Sequence, residues 1–185
     1  LIDKFYGPLR SIQLLFDRGP WKGMVLGGIA SSLLGIPRFT HDIDALVLMD
    51  INEIENFLAQ AKRVGLVPRI SDAMGFARRS KVVLLLHRTS KIPVDISIGM
   101  LPFEEKAVRH SQRIKMKNII LNFPTPEDLI IFKGVAHRPQ DLIDIQGVLK
   151  AHPRIDKRYI RRWLKDFAHT LEMPEIYEDI ENLLK

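Results

Sequence analysis

The stretch that most constrains this chain runs from Val25 to Met49. An apolar run ends in the pair Gly27-Gly28, a short helical segment follows, and the bend Pro37-Arg38-Phe39-Thr40-His41 leads into Asp42-Ile43-Asp44. The apolar residues after the acids have the composition of a strand. Residues i and i+2 of a strand share a face, so the pattern predicts that Asp42 and Asp44 present two carboxylates side by side. Aspartate is a poor strand former, and neighbouring carboxylates are costly to bury unless a cation neutralises them. A hard divalent ion such as Mg²⁺, or Mn²⁺, takes oxygen ligands and fills that role. The glycine pair suits the opposite partner, because backbone without Cβ atoms can approach phosphate oxygens and aim N–H groups at them. The helix that follows adds its positive N-terminus. Each motif alone reads equally well as a turn or a solvated strand end. It is their order and spacing that point to metal-assisted phosphoryl or nucleotidyl chemistry.

A two-metal arrangement needs a third acid. In Ile92-Pro93-Val94-Asp95-Ile96-Ser97-Ile98 the apolar residues alternate onto one face and leave Asp95 and Ser97 on the other. That is a strand with one carboxylate on its polar side, available to the site or simply facing water.

Taken together, Gly27-Gly28, then Arg38-x-Thr40-x-Asp42-x-Asp44, then a lone Asp95 on a later strand resemble the polymerase-beta-type nucleotidyltransferase superfamily. Pro126-Glu127-Asp128-Leu129 and Lys133…Arg138-Pro139-x-Asp141-x-x-Asp144 resemble its small AbiEii and MenT-like members, some of them toxins of bacterial toxin–antitoxin pairs. The resemblance spans residues 22 to 150. It implies an α/β (α+β) fold, a mixed sheet flanked by helices, with a nucleoside triphosphate as donor. It implies metal ligation by Asp42, Asp44 and Asp95, with Gly27, Gly28, Arg38 and Thr40 at the nucleotide. It also places Lys133 near the triphosphate and Asp141, eight residues on, near the site, with Asp144 one turn further. Relatives often carry Ser or Thr directly after the glycine pair. Here Ile29 stands there, so a hydroxyl contact falls to Ser31 or Ser32. Outside the resemblance, Lys133 reads as a lysine snorkelling from an apolar helix, and Asp141 and Asp144 as first-turn acids favoured by the helix dipole.

The 185 residues suffice for one sizeable core, or one domain with a helical appendage. We expect an α/β core over residues 1–122 and a helical C-terminal part over 123–185, packed as one continuous domain. Hydrophobic content of 46% and charge of 27% argue against wholesale disorder. Without cysteine there are no disulfides or thiolate zinc sites, which is compatible with a reducing cytoplasm. No apolar run approaches the ~20 residues of a membrane span and no signal peptide is visible, so a cytoplasmic protein with no membrane partner is expected. A net charge of +6 favours polyanionic partners, nucleic acid or nucleoside triphosphates.

Along the chain, periodicity predicts helices over 5–18 and 29–35 and strands over 23–26 and 42–49. Asp50 caps a helix over 51–64 that Gly65 ends. Residues 66–81 are ambiguous, with a helix favoured near 72–79. Strands over 81–87 and 92–98 form a hairpin, followed by a helix over 102–110 and a pair of short strands over 112–122. Thr125-Pro126-Glu127-Asp128 starts a helix running to about His137, and helices follow over 139–151, 156–170 and from Pro174 onward. On the helix after Asp156, Arg158, Arg161, Arg162 and Lys165 recur at helical spacing. Such a run is either a solvated face or a stripe that follows an RNA backbone.

These readings converge on an Mg²⁺-dependent nucleotidyltransferase whose acceptor is an RNA 3′ end, a protein or a small molecule, the basic balance favouring RNA. A cognate antitoxin is a further partner implied by the resemblance. The rivals are a non-catalytic module of the same fold, binding nucleic acid or a partner protein, and a metal-dependent phosphodiesterase using the same acids. No Gly-x-x-x-x-Gly-Lys-Ser/Thr, Gly-x-Gly-x-x-Gly or His-Glu-x-x-His pattern occurs. His41-Asp42 lacks the further histidines and helical setting of a phosphohydrolase.

Overall fold

The computed structural model describes residues 2–185. The chain divides into two compact units. The first runs to Ile29 and resumes over Phe39–Phe123; the second comprises Ala30–Arg38 and Pro124–Lys185.

The first unit is built on a five-stranded mixed sheet. Its strands are β1 (Lys22–Val25), β2 (Ile43–Leu48), β3 (Leu66–Pro68), β4 (Val82–His87) and β5 (Pro93–Gly99), in the order β1-β2-β5-β4-β3. The central pair β2–β5 is parallel and the other pairs are antiparallel. Alternation decides which face is covered: Ile43, Ala45 and Val47 on β2, Val94, Ile96 and Ile98 on β5, and Val83 and Leu85 on β4 are all buried. Helix α1 (Ile2–Arg18) buries Phe5, Leu9, Ile12 and Leu15, a stripe at helical spacing. Each such side chain contributes about 1.5–3 kcal/mol relative to leaving it exposed. Ser11 Oγ donates to Val64 O at 2.7 Å, fixing α1 to the end of α3 (Ile54–Arg63). A single 3₁₀ turn, Ile51–Glu53, precedes α3 and is capped by Asp50. Asp50 Oδ1 accepts from Asn52 N at 2.7 Å, and Glu53 Oε2 accepts from Asp50 N at 3.0 Å. Helices α4 (Ala73–Ser80) and α5 (Pro102–His110) and the hairpin of β6 (Gln112–Met116) and β7 (Ile119–Phe123) complete the unit.

Helix α2 (Gly27–Leu34) carries the division between the units. In the second unit, α6 (Pro126–Ala136), α7 (Pro139–Ala151), α8 (Lys157–Thr170) and α9 (Glu175–Leu184) pack around Leu129, Ile130, Ile145, Ile160, Leu164, Ile176 and Ile180. The caps are those the sequence predicts. Thr125 Oγ1 accepts from Asp128 N at 3.1 Å, and Asp156 Oδ1 accepts from the amides of Arg158 and Tyr159. Gly134 lets α6 and α8 approach, because a Cβ there would stand 2.7 Å from Leu164 Cδ2. Tyr159 donates to the buried Asp128 at 2.8 Å, and burial beside that carboxylate holds its phenol well above the usual range.

The mixed sheet flanked by helices is the expected fold class, and most predicted elements agree to within a residue or three. Three details differ. Strand β3 was not predicted, because three residues ending in proline carry almost no periodic signal. The helix expected from residue 51 opens as a 3₁₀ turn. Asp42 lies in the bend just ahead of β2, so only Asp44 of the pair is on the strand. Among the described residues, no helix is long and apolar enough to cross a membrane.

Candidate functional site

In the first unit, the parallel register of the central strands places Asp44 directly opposite Asp95. Neighbouring strands lie about 4.8 Å apart, so the two carboxylates occupy adjacent places on one face of the sheet. Asp95 in turn faces Leu84 on β4. Beyond Leu84, Arg69 follows β3 and its amide donates to Leu84 O at 3.1 Å. A lateral row Asp44, Asp95, Leu84, Arg69 thus crosses three strands, and Arg69 reaches back so that its Nη2 lies 2.9 Å from Asp95 Oδ2.

The glycine pair closes the other side of Asp44. Leu26 N donates to Asp44 O at 2.8 Å, and Gly27 follows with φ +57°. A Cβ at Gly27 would stand 1.8 Å from Asp44 Oδ2, so both the backbone conformation and the contact demand glycine. Gly28 is the next residue of the first turn of α2. Thr40 is buried and donates from Oγ1 to Asp42 Oδ1 at 3.0 Å, steadying the acid ahead of β2.

Asp95 is the unusual group. Its Oδ1 is buried and has no hydrogen-bond partner among the described residues. Burial raises its carboxyl above the usual range; Arg69 opposes the shift, and the negative charge of Asp42 adds to it. An orphaned, buried carboxylate oxygen is costly and calls for a cation or a proton donor. Among the described residues no group of three or more His, Cys, Asp or Glu side chains is placed to hold a metal ion. Mg²⁺ is usually held by one or two carboxylates together with substrate phosphates and water. The hard-oxygen donor set of Asp44 and Asp95 fits that ion.

The remaining candidates lie in the second unit and form a charge network of their own. Lys133 Nζ lies 2.8 Å from Asp141 Oδ1 and 2.7 Å from Asp144 Oδ2, and all three side chains are at most 5% exposed. Lys133 therefore does not snorkel. Arg38 grips Asp144 through two bonds, Nε–Oδ1 at 2.7 Å and Nη2–Oδ2 at 2.9 Å. Arg138 does the same for Asp141, and Gln140 donates to Asp144. Burial works to raise both carboxyls, but the hydrogen bonds from Arg38 and Lys133 outweigh it at Asp144, which falls to about 2. At Asp141 the bonds from Arg138 and Lys133 likewise win, and its carboxyl is lowered. A lowered folded-state value stabilises the fold above the unfolded value near 4 and loses that contribution as pH falls toward 2. Thermal unfolding followed from pH 7 to pH 2 should therefore show stability falling through this window, and Asp144→Asn should flatten the dependence. Ser31 is buried on α2, its carbonyl accepting from Gly35 N at 2.9 Å, while Ser32 Oγ exchanges hydrogen bonds with the backbone of Arg38.

Each unit therefore assembles its own share of the expected residues: Gly27, Gly28, Thr40, Asp42, Asp44 and Asp95 in the first, Ser31, Arg38, Lys133, Asp141 and Asp144 in the second. Sequence reasoning missed Arg69 and Gln140. Arg69 lies in the ambiguous segment after a three-residue strand, and its partner is set by register across β4, which no local pattern encodes.

No family model matches the chain. No curated protein matches it either. Solved structures do share its fold. An antigenic nucleotidyltransferase-like protein from Paracoccidioides brasiliensis superimposes with a TM-score of 0.59 at 12% identity, covering 96% of this chain and 93% of that one. The antibiotic-resistance factor ANT(2″)-Ia superimposes with a TM-score of 0.59 at 13% identity, over 94% and 96% of the two chains. The fold is that of nucleotidyltransferase-like proteins.

Proposed function

We propose that the chain is a divalent-metal-dependent nucleotidyltransferase that moves a nucleoside monophosphate from a nucleoside triphosphate to an acceptor hydroxyl. The observation that carries this reading is the in-register pair Asp44–Asp95, with Gly27 packed against one carboxylate and an unpartnered buried oxygen on the other. Asp44 and Asp95 would hold Mg²⁺ or Mn²⁺, and the resemblance adds Asp42, in the bend ahead of β2, as a further ligand. When bound, the ion neutralises triphosphate charge and the charge that develops as the phosphorus is attacked.

The chain's own groups do the rest. Gly27 makes room for the Asp44 carboxylate itself, and Gly28, in the first turn of α2, puts the positive end of that helix toward phosphate oxygens. Thr40 keeps Asp42 oriented, and Arg69 holds Asp95 through Oδ2. The Asp95 carboxylate, whose proton affinity burial raises, takes the acceptor's hydroxyl proton. The new bond joins the acceptor oxygen to the α-phosphorus, the α–β bridging bond breaks, and pyrophosphate leaves with the bond's electrons. The sequence resemblance further implies nucleotide-handling roles for Ser31, Arg38, Lys133 and Asp141; in the second unit Lys133 is held between Asp141 and Asp144, and Arg38 grips Asp144. The acceptor we favour is an RNA 3′ end, on the strength of the basic charge balance. A role in a toxin–antitoxin pair follows from the resemblance to AbiEii and MenT-like proteins and is offered as part of the same reading.

Equilibrium titration with Mn²⁺, with and without nucleoside triphosphate, tests the site. The wild-type chain should bind Mn²⁺ more tightly when triphosphate is present, and Asp95→Asn should weaken binding by about tenfold. Mn²⁺ affinity unaffected by triphosphate and by this substitution would reject the metal assignment. Metal and nucleotide binding with no transfer to any acceptor would instead leave a binding module of the same fold.

A further inference from the structure

Helix α8 carries a row of cations that the transfer chemistry does not use. Arg158, Arg162 and Lys165 are spaced four and three residues apart, which puts them on one face of the helix, and all three are exposed. His169 continues the row by one turn, so its length is about 16 Å at 1.5 Å per residue. Other cations of α8 are engaged: Arg161 pairs with Glu181 at 2.7 Å, and Lys157 Nζ donates to Leu184 O at 2.5 Å. Arg158, Arg162 and Lys165 have no carboxylate partner among the described residues, although Asp166 is exposed on the flank of the row. A row of like charges repels itself and gains most from a ligand that is itself a row of opposite charges.

A second feature adjoins the end of this row. Lys165, Ala168 and His169 of α8, with Pro174, Tyr177 and Glu178, line an open cleft of about 220 Å³. Tyr177 is half-buried and is the aromatic residue among those that line the cleft. A cationic track for phosphates that runs into a cleft with an aromatic ring is the combination that single-stranded nucleic acid fits, the bases finding a stacking surface beside the backbone. Glu178 on the cleft wall repels a phosphate and can accept from a base amino group, which places the base rather than the backbone in the cleft.

We infer that the exposed face of α8, with the α8–α9 cleft at its end, binds single-stranded RNA, the phosphates along Arg158, Arg162 and Lys165 and a base against Tyr177. This binding is a property of the second unit and does not depend on the transfer reaction.

Fluorescence anisotropy with a labelled, mixed-sequence 20-nucleotide RNA, measured on the whole chain between 50 and 300 mM KCl, tests it. Affinity should fall with salt, and three phosphate contacts contribute about −2 to the log–log slope for a single strand. The triple variant Arg158→Gln, Arg162→Gln, Lys165→Gln should lose that share of the slope and bind about tenfold more weakly at 100 mM KCl. Far-UV circular dichroism checks that α8 remains folded. A control of equal charge loss, Lys62→Gln, Arg63→Gln, Arg78→Gln, should change binding little. Tyr177→Ala should weaken binding while Tyr177→Phe retains it. Binding is measured without nucleoside triphosphate or divalent metal, so a failed transfer assay and a failed binding assay are distinguishable. Equal weakening by the stripe and control triples, no weakening by the stripe triple, or no RNA binding at 50 mM KCl would overturn the inference.

Discussion

Asp44→Asn should lower nucleotidyl transfer about a thousandfold or more, while the melting temperature stays near that of the wild type. The substitution keeps the shape of the side chain and leaves the backbone bond from Leu26 N to Asp44 O in place. What it removes is the negative charge next to Gly27 and opposite Asp95. An amide oxygen is a far poorer partner for a hard divalent ion than a carboxylate, so the loss should appear in the rate and not in the fold. Gly27→Ala should cause a comparable loss for a different reason: a methyl group 1.8 Å from Asp44 Oδ2 must push the carboxylate aside. Initial rates with saturating triphosphate, together with thermal melts, separate the two causes. A rate within tenfold of the wild type for Asp44→Asn would remove this residue from the catalytic set.

Lys133→Met should have the largest effect on stability, a loss of about 3–5 kcal/mol. Methionine fills much the same volume, so packing is preserved and the cost is electrostatic. Asp141 and Asp144 each lose a buried ammonium, and the remaining cations, Arg138 and Arg38, are more exposed and compensate only in part. Had Lys133 reached solvent from an apolar helix, its removal would cost no more than about 0.5 kcal/mol. Urea unfolding with a fixed slope measures the difference directly. A cost below 1 kcal/mol would mean that the network of the second unit is not a stabilising element.

How much of this was readable in the sequence depends on whether local pattern or register decides. The strands β2, β4 and β5 and the helix caps at Thr125 and Asp156 are local events, fixed by alternation and by side chains within three residues of the amides they serve. All were readable. The motif Gly27-Gly28…Asp42-x-Asp44 stands out in the sequence because acids and glycines are poor choices for a buried strand end unless something binds there. Its geometry was only half readable: Asp42 falls outside the strand, where Thr40 rather than the pleat orients it. Arg69 was not readable, because its partner Asp95 is set by pairing across two strand boundaries, one of them with a strand of three residues. Lys133 was identified as a singular residue in an apolar helix, but neither of its carboxylate partnerships nor the Arg38 fork on Asp144 was readable. Those depend on how α2, α6 and α7 pack within the second unit, which spacing along one helix does not reveal.

The central claim, that the acids around Asp44 and Asp95 move a nucleotidyl group, is tested most directly by following label from the two ends of the donor. The wild-type chain is incubated with Mg²⁺, total RNA or cell extract, and each nucleoside triphosphate labelled at either the α- or the γ-phosphorus. The account predicts that α-label enters an acceptor while γ-label is released as pyrophosphate in equal amount. Label entering the acceptor from the γ-phosphorus, or no label transfer with any triphosphate and acceptor despite metal and nucleotide binding, would contradict it.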